Sequence, residues 1–296
     1  MKGKTQQQKG VIALVLLAFG FGATAITARY LSFYFSLFQQ LFLTLATAFV
    51  ISLLIFPKSL TLKKLKTAPT KDWVVMFFRI TVGYLIGASL YRESLTLTKV
   101  SNVSFIQSIP LSGLYGWLLF KEKFTFNKFL LLLTAFFGAA LIAVDDFSSI
   151  MSFGRGELLS LISIAFFSLS FVARKWQSNF FTDKELAQIS LFVGAVLMFV
   201  VSIINGEGLP PFSTETALVV SLGFSGFFNA INIFLVNYGF KNVKAVLASN
   251  IITLEAVFAL ILAYFFFSEL PTLKGLVGGV IIIVSAIGMN KLEVKE

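Results

Sequence analysis

Ten apolar stretches, each close to the length of a membrane-spanning helix, divide this chain, and no other feature limits its fold so tightly. They cover residues 10–28, 36–56, 73–95, 100–120, 129–144, 157–173, 186–204, 217–238, 245–267 and 273–289, with charged residues in short islands between them. A helix needs ~20 residues to cross the hydrocarbon core. In hydrocarbon each backbone polar group must pair internally, and a run of this length does so only as a helix. The expected class is all-α and integral to a membrane, with lipids as the first partner. Composition agrees: 13% of the 296 residues are charged and 57% hydrophobic, against about 25% and 45–50% in soluble domains. A soluble globule and a disordered chain are both excluded.

Positive charge sets the expected topology. With both termini cytoplasmic, the inner islands hold Lys2, Lys4 and Lys9, then Lys58, Lys63, Lys64, Lys66 and Lys71, then Lys121, Lys123 and Lys128. Arg174, Lys175, Lys184, Lys241, Lys244, Lys291 and Lys295 complete eighteen of the 24 basic residues. The outer ends hold Arg29, Arg92, Lys99, Arg155 and Lys274, and Arg79 lies within a span. Such an imbalance across short loops is the positive-inside signature of a multi-pass cell-membrane protein. It accounts for the net charge of +10 without nucleic-acid binding. Ala23-Thr24-Ala25 has the form of a signal cleavage site, but the apolar run continues past it and nine more follow, so a retained first helix is expected.

The chain also resembles itself. SNVSFIQSIPLSGLYGWLLFKEKF in the fourth and fifth stretches parallels VLASNIITLEAVFALILAYFFFSEL in the ninth and tenth, each ending near a Glu, Glu122 or Glu269. Gly10 and Gly156 open the two matching halves, 10–145 and 156–291. Five spans per half is an odd number, so the second half enters the membrane inverted. Ten transmembrane helices as two inverted five-helix repeats is an architecture of secondary transporters, which bind solute near mid-membrane between the repeats.

In this layout the chain resembles the EamA type of the drug/metabolite transporter superfamily, on Pro110 followed by Glu122 and on Glu255 followed by Glu269. Glu255 precedes Ala256 where that family commonly has Pro, and Gln39-Gln40 stand where it often has an Arg. The resemblance covers nearly the whole chain and implies transport without naming a substrate.

Several polar residues are expected to meet a solute. At 100° per residue, Ser101, Ser104, Ser108, Ser112 and Tyr115 fall within roughly 80° on the fourth span. They can line a path or pack helix on helix. Tyr84 and Tyr91 share a face of the third span and could clamp an amphipathic solute, or form an aromatic ridge. Gly83 and Gly87 beside them allow another helix close. Asn229 and Asn232 share a face of the eighth span, and Asn250 is the repeat counterpart of Ser104. Arg79 falls opposite the two Tyr, so it is expected to snorkel to the inner surface in a structural role. Glu255, central in the ninth span, must be paired, protonated or water-facing. It is a candidate for proton or cation coupling, or half of an interhelical pair.

The leading expectation is a non-enzymatic secondary transporter (permease) moving a small polar or amphipathic metabolite by alternating access, with export one possible direction. Neither cofactor nor metal is expected: with no His and no Cys, imidazole and thiolate metal sites, disulfides and His-based triads are excluded. No Walker-type phosphate loop is present, so ATP drive within the chain is not expected. The alternative is a membrane-embedded enzyme acting on a lipid or prenyl substrate. Such chemistry on diphosphates wants clustered carboxylates for Mg²⁺, and the adjacent acidic pair here is Asp145-Asp146, in a loop. Oligomeric state and coupling ion do not follow from the sequence.

Overall fold

The structure, a computed structural model, describes residues 2–57, 59, 61–98, 100–143, 154–210, 215–267, 270 and 272–295. Glu269 lies outside them. The first half contains α1 (Lys2–Leu31), α2 (Leu37–Ile55), the short α3 (Leu62–Lys66) and α4 (Thr70–Ile80). A π-helical stretch (Thr81–Ala88) carries α4 into α5 (Ser89–Leu97). Then come α6 (Val100–Gln107), α7 (Leu111–Phe120) and α8 (Phe126–Ala143). The second half contains α9 (Arg155–Val172), a 3-10 turn (Ala173–Trp176), α10 (Asp183–Ile204) and α11 (Thr216–Asn242). It ends with α12 (Ala245–Ile252), α13 (Leu254–Phe267) and α14 (Leu273–Lys295). Among the described residues, eight stretches are long and apolar enough to cross a membrane, and Phe105–Phe120 and Phe126–Ile142 are two shorter apolar helices.

Among the described residues the fourth span is interrupted and the ninth locally tightened. Pro110 has no N–H to close onto residue 106 and drives the residue before it out of the helical region. The chain turns instead on Ser108 N–H to Phe105 O and Ile109 N–H to Ile106 O, both 3.1 Å, and α7 restarts beyond Pro110. The ninth span tightens at Thr253 without a proline, its backbone staying right-handed helical there (φ −59°, ψ −17°). There the Thr253 hydroxyl donates to Asn250 O at 2.6 Å, and Ala256 N–H reaches back three residues to Thr253 O at 3.2 Å.

The main helix pairings join one half to the other: α1 with α11, α2 with α10 and α11, α5 with α9, α7 with α12, and α8 with α14. Carboxylates fix several helix starts across that divide. Glu122 accepts from Ala245 N–H at 3.0 Å and Val246 N–H at 3.2 Å, capping α12, and pairs with Lys175. Glu207 accepts from Phe38 and Gln39 N–H at 3.1 and 2.9 Å, capping α2. Glu157 accepts from Gly154 N–H at 3.1 Å and Asn102 Nδ2 at 3.0 Å, joining the start of α9 to α6. A carboxylate at a helix N-terminus satisfies orphan N–H donors and meets the positive end of the dipole.

The end of the bundle bearing Lys64, Arg174 and Lys175 is called the basic end here. It is tied by Lys64–Glu185 at 2.7 Å, Arg174–Asp183 at 2.6 Å and Lys128–Glu293 at 2.9 Å. Outward faces carry Leu54, Phe137, Ile204 and Val284, all strongly exposed, as suits a surface solvated by hydrocarbon.

Candidate functional site

A cavity of about 190 Å³ lies inside the bundle, walled by α1, α2, the α4–π–α5 span, α9, α10 and α11. Both irregular spans reach it near these turns, through Gln107 and through Ile252 and Glu255. Backbone irregularity at membrane depth is tolerated where it borders a cavity.

The π-helical stretch decides what the third span presents. Its i→i+5 turns are wider than α-turns, so each residue advances the phase by less than 100°. Arg79, Gly83, Tyr84, Ala88, Tyr91 and Arg92 consequently all face the cavity. This corrects the expectation that Arg79 snorkels outward. Its guanidinium is buried and donates to Ser170 O at 3.0 Å, Gln177 Oε1 at 3.4 Å and Asn237 Oδ1 at 2.8 Å. Gly83 and Gly87 admit α9: a Cβ on Gly83 would stand 2.7 Å from Ser170 Oγ, and Ser163 donates to Gly87 O at 2.8 Å.

One wall is aromatic. Tyr91 meets Phe167 edge-on at 6.1 Å, Phe167 stacks with Phe171 at 5.9 Å, and Phe171 stacks with Phe21 at 6.0 Å. Tyr84 sits in a notch at Gly194, where a Cβ would come 2.9 Å from its ring. The polar part of the lining comprises Asn229, Asn232, Thr24, Thr44 and Ser190 among others. Asn229 spends its amide on Ser225 O of its own helix at 2.8 Å. Asn232 is buried with Oδ1 unpartnered among the described residues, and it packs where a Cβ on Gly20 would lie 1.9 Å away.

Glu255 faces this space and makes no hydrogen bond or ion pair with the described residues. The interhelical pair weighed for it in the sequence is therefore not seen among them. Arg92 also lines the cavity, with Nη1 buried and lacking a hydrogen bond to the described residues.

The structure brings together Tyr84, Tyr91, Asn229, Asn232 and Glu255. It takes other expected site residues elsewhere. The break at Pro110 interrupts the phase of the fourth span, so Ser108 before it does not share one continuous helical stripe with Ser112 and Tyr115 after it. The Ser108 hydroxyl donates to Phe105 O at 2.6 Å, Ser112 is buried, and Tyr115 packs against the core around Leu247 and Val246. The side chains of Ser101 and Ser104 lie outside the described residues. Asn250 turns away, donating to Ser285 Oγ at 3.0 Å and Leu131 O at 3.3 Å. Gln107, Thr24 and Thr44 were not singled out from the sequence, where nothing distinguishes them from helix-packing polar residues.

A cavity lined by an aromatic wall, two guanidinium groups and a carboxylate suits an amphipathic solute carrying charge. The profile of the EamA-like transporter family matches residues 8–144 and again 154–291. An S-adenosylmethionine uptake transporter of Rickettsia bellii is 30% identical over 216 residues, covering 70% of each chain. Its namesake from Rickettsia felis is 29% identical over 218 residues, covering 70% of this chain and 69% of that one. A solved crystal structure with 14% identity superposes with a TM-score of 0.78 over 96% of each chain, a likeness of fold alone.

Proposed function

Because the chain belongs to the EamA-like transporter family, we propose that it is a secondary transporter taking up a small amphipathic metabolite by alternating access, with S-adenosylmethionine the first candidate. The observation that carries this reading is the cavity itself, where Glu255 and Arg79 face one aromatic-walled space bordered by both irregular spans. A discontinuous helix at a midplane site is a transporter device. The purine ring of such a solute would stack on the wall of Tyr91, Phe167 and Phe171, and its cationic centre would lie toward Glu255. The uptake direction is taken from the two Rickettsia proteins, whose names specify it.

The ten spans are read as two inverted repeats. Supporting this, the irregular turns at Ser108 and Thr253 are 145 positions apart, close to the 146-residue offset of Gly10 and Gly156. The pairing of the first span with the eighth is mirrored by the third with the sixth, as a two-fold relation between halves requires. The charge imbalance supports cytoplasmic termini, and Glu255 is proposed as the coupling site for a proton or cation. The test is flux: purified protein in proteoliposomes should accumulate labelled S-adenosylmethionine down an imposed ion gradient. Turnover of a lipid or prenyl substrate in detergent, with no flux of any solute, would overturn the reading in favour of an enzyme.

A further inference from the structure

Buried cations in this protein are mostly answered by carboxylates: Arg174 by Asp183, and Lys128 by Glu293. Arg79 is different. It is 8% exposed, and its three acceptors are a backbone carbonyl and two side-chain amides, all neutral. A guanidinium has five N–H donors, so one on each terminal nitrogen is left over. Asp183 is close enough to act on it electrostatically, but its carboxylate is held by Arg174 at 2.6 Å with Lys241 at 4.0 Å. Asp72, below it, is held by Ser178 through N–H at 2.8 Å and Oγ at 2.5 Å. The charged residues lining the cavity are Arg79, Arg92 and Glu255, a net charge of +1. Arg92 and Glu255 both line the cavity, and among the described residues no ion pair joins them. Of the two cations Arg79 is the more deeply buried, held only by neutral acceptors on the stretch of helix that carries Tyr84. Tyr84 and Tyr91 are seven residues apart, about 10 Å along the span.

We propose that Arg79 is the carboxylate subsite of this cavity, so that the solute is an amino-acid-type zwitterion and not a simple organic cation. This rests on the transport reading above and deepens it. A planar guanidinium with a further N–H on each terminal nitrogen can meet a carboxylate bidentately, which an ammonium cannot. Ser170 O, Gln177 and Asn237 hold the fork from three sides, so little side-chain entropy is lost on binding. The carboxylate would enter toward the basic end, the aromatic body would lie along Phe167 and Phe171, and the cationic group would remain at the level of Glu255.

The experiment is competition against uptake of labelled S-adenosylmethionine in proteoliposomes, using its decarboxylated analogue and its methyl ester. In the unaltered protein both should compete at least about tenfold less well than the parent acid, since each loses a charge-assisted pair. Arg79→Gln should weaken the acid and bring all three within about twofold, while Arg79→Lys should restore part of the preference. Equal competition by acid and ester in the unaltered protein, which requires no variant to fold, overturns the proposal. A preference unchanged in Arg79→Gln does so as well. If S-adenosylmethionine is not transported, thermal stabilisation by a panel of amino acids with their esters separates the two readings. Stabilisation by acids alone, lost in Arg79→Gln, removes that substrate and keeps the subsite; stabilisation by esters or amines, or by nothing in the panel, removes the subsite.

Discussion

Glu122 offers the sharpest test of how the halves are joined. Its side chain is 6% exposed and accepts from three donors: the ammonium of Lys175 and the first N–H groups of α12 at 3.0 and 3.2 Å. Loss of a helix cap costs about 1 kcal/mol. Removing one partner of a buried pair costs ~3–5 kcal/mol, but Lys175 retains 18% exposure and lies 5.7 Å from the Phe120 ring centre. Part of its charge is therefore solvated without Glu122, and about 1–2 kcal/mol is the fitting share. Glu122→Ala should thus destabilise the protein by roughly 2–3 kcal/mol. Glu122→Gln keeps one acceptor oxygen for α12 and should lose about half of that. Lys175→Met in the Glu122→Ala background removes the unpaired ammonium. The double variant should be more stable than the two single losses added together, with a coupling of about 1 kcal/mol or more. The assay is reversible denaturation in one detergent, followed by tryptophan fluorescence. Strict additivity, or a Glu122→Ala variant as stable as the parent, would refute the contact as a stabilising one.

Three further outcomes follow from the packing and the charges. Gly20→Ala places a Cβ 1.9 Å from Asn232 Oδ1 and should cost about 1–3 kcal/mol; Asn232→Ala in the same chain should restore most of the melting temperature, and no rescue would sink the argument. Glu255→Gln should melt within about 1 kcal/mol of the parent, because no ion pair is lost among the described residues. It should lose gradient-driven accumulation, and unchanged accumulation would remove it as the coupling site. For topology, the exposed Leu209 replaced by Cys should react with an impermeant maleimide from outside intact cells. Lys66→Cys should react only after permeabilisation, and the opposite pattern would invert the orientation.

The spans were legible because apolar length and charge islands are one-dimensional signals. Side-chain direction is not, wherever the helical period changes. Arg79 and Tyr84 look opposed at 100° per residue, yet the π-helical stretch from Thr81 turns both to one cavity. The serine row of the fourth span looks continuous only if Pro110 leaves the helix unbroken, and it does not. Thr253 is subtler, since the ninth span tightens there on a hydroxyl-to-carbonyl bond with no proline to announce it. Glu255 was conspicuous as a mid-span carboxylate; whether it was paired depended on neighbours from other spans. Asn250 illustrates the limit of repeat logic, because its counterpart Ser104 says nothing of Ser285, which captures its amide.

The cross-half pairing of helices has a consequence for biogenesis. While the first five spans emerge from the ribosome, the surfaces destined for α9, α10, α11, α12 and α14 have nothing to meet. Their apolar parts are at ease meanwhile, since lipid tails solvate Leu and Phe as well as a neighbouring helix does. The polar groups are not. Asp72 waits for Ser178, Gln107 for the Ser160 carbonyl, Arg79 for Ser170 and Asn237, and Glu122 for Lys175 and the start of α12. Quality control in the membrane would thus recognise a chain stopped near residue 150 by its stranded hydrophilic groups and not by exposed grease. Two separately encoded halves, made at the same time, could supply those groups to one another and escape degradation together.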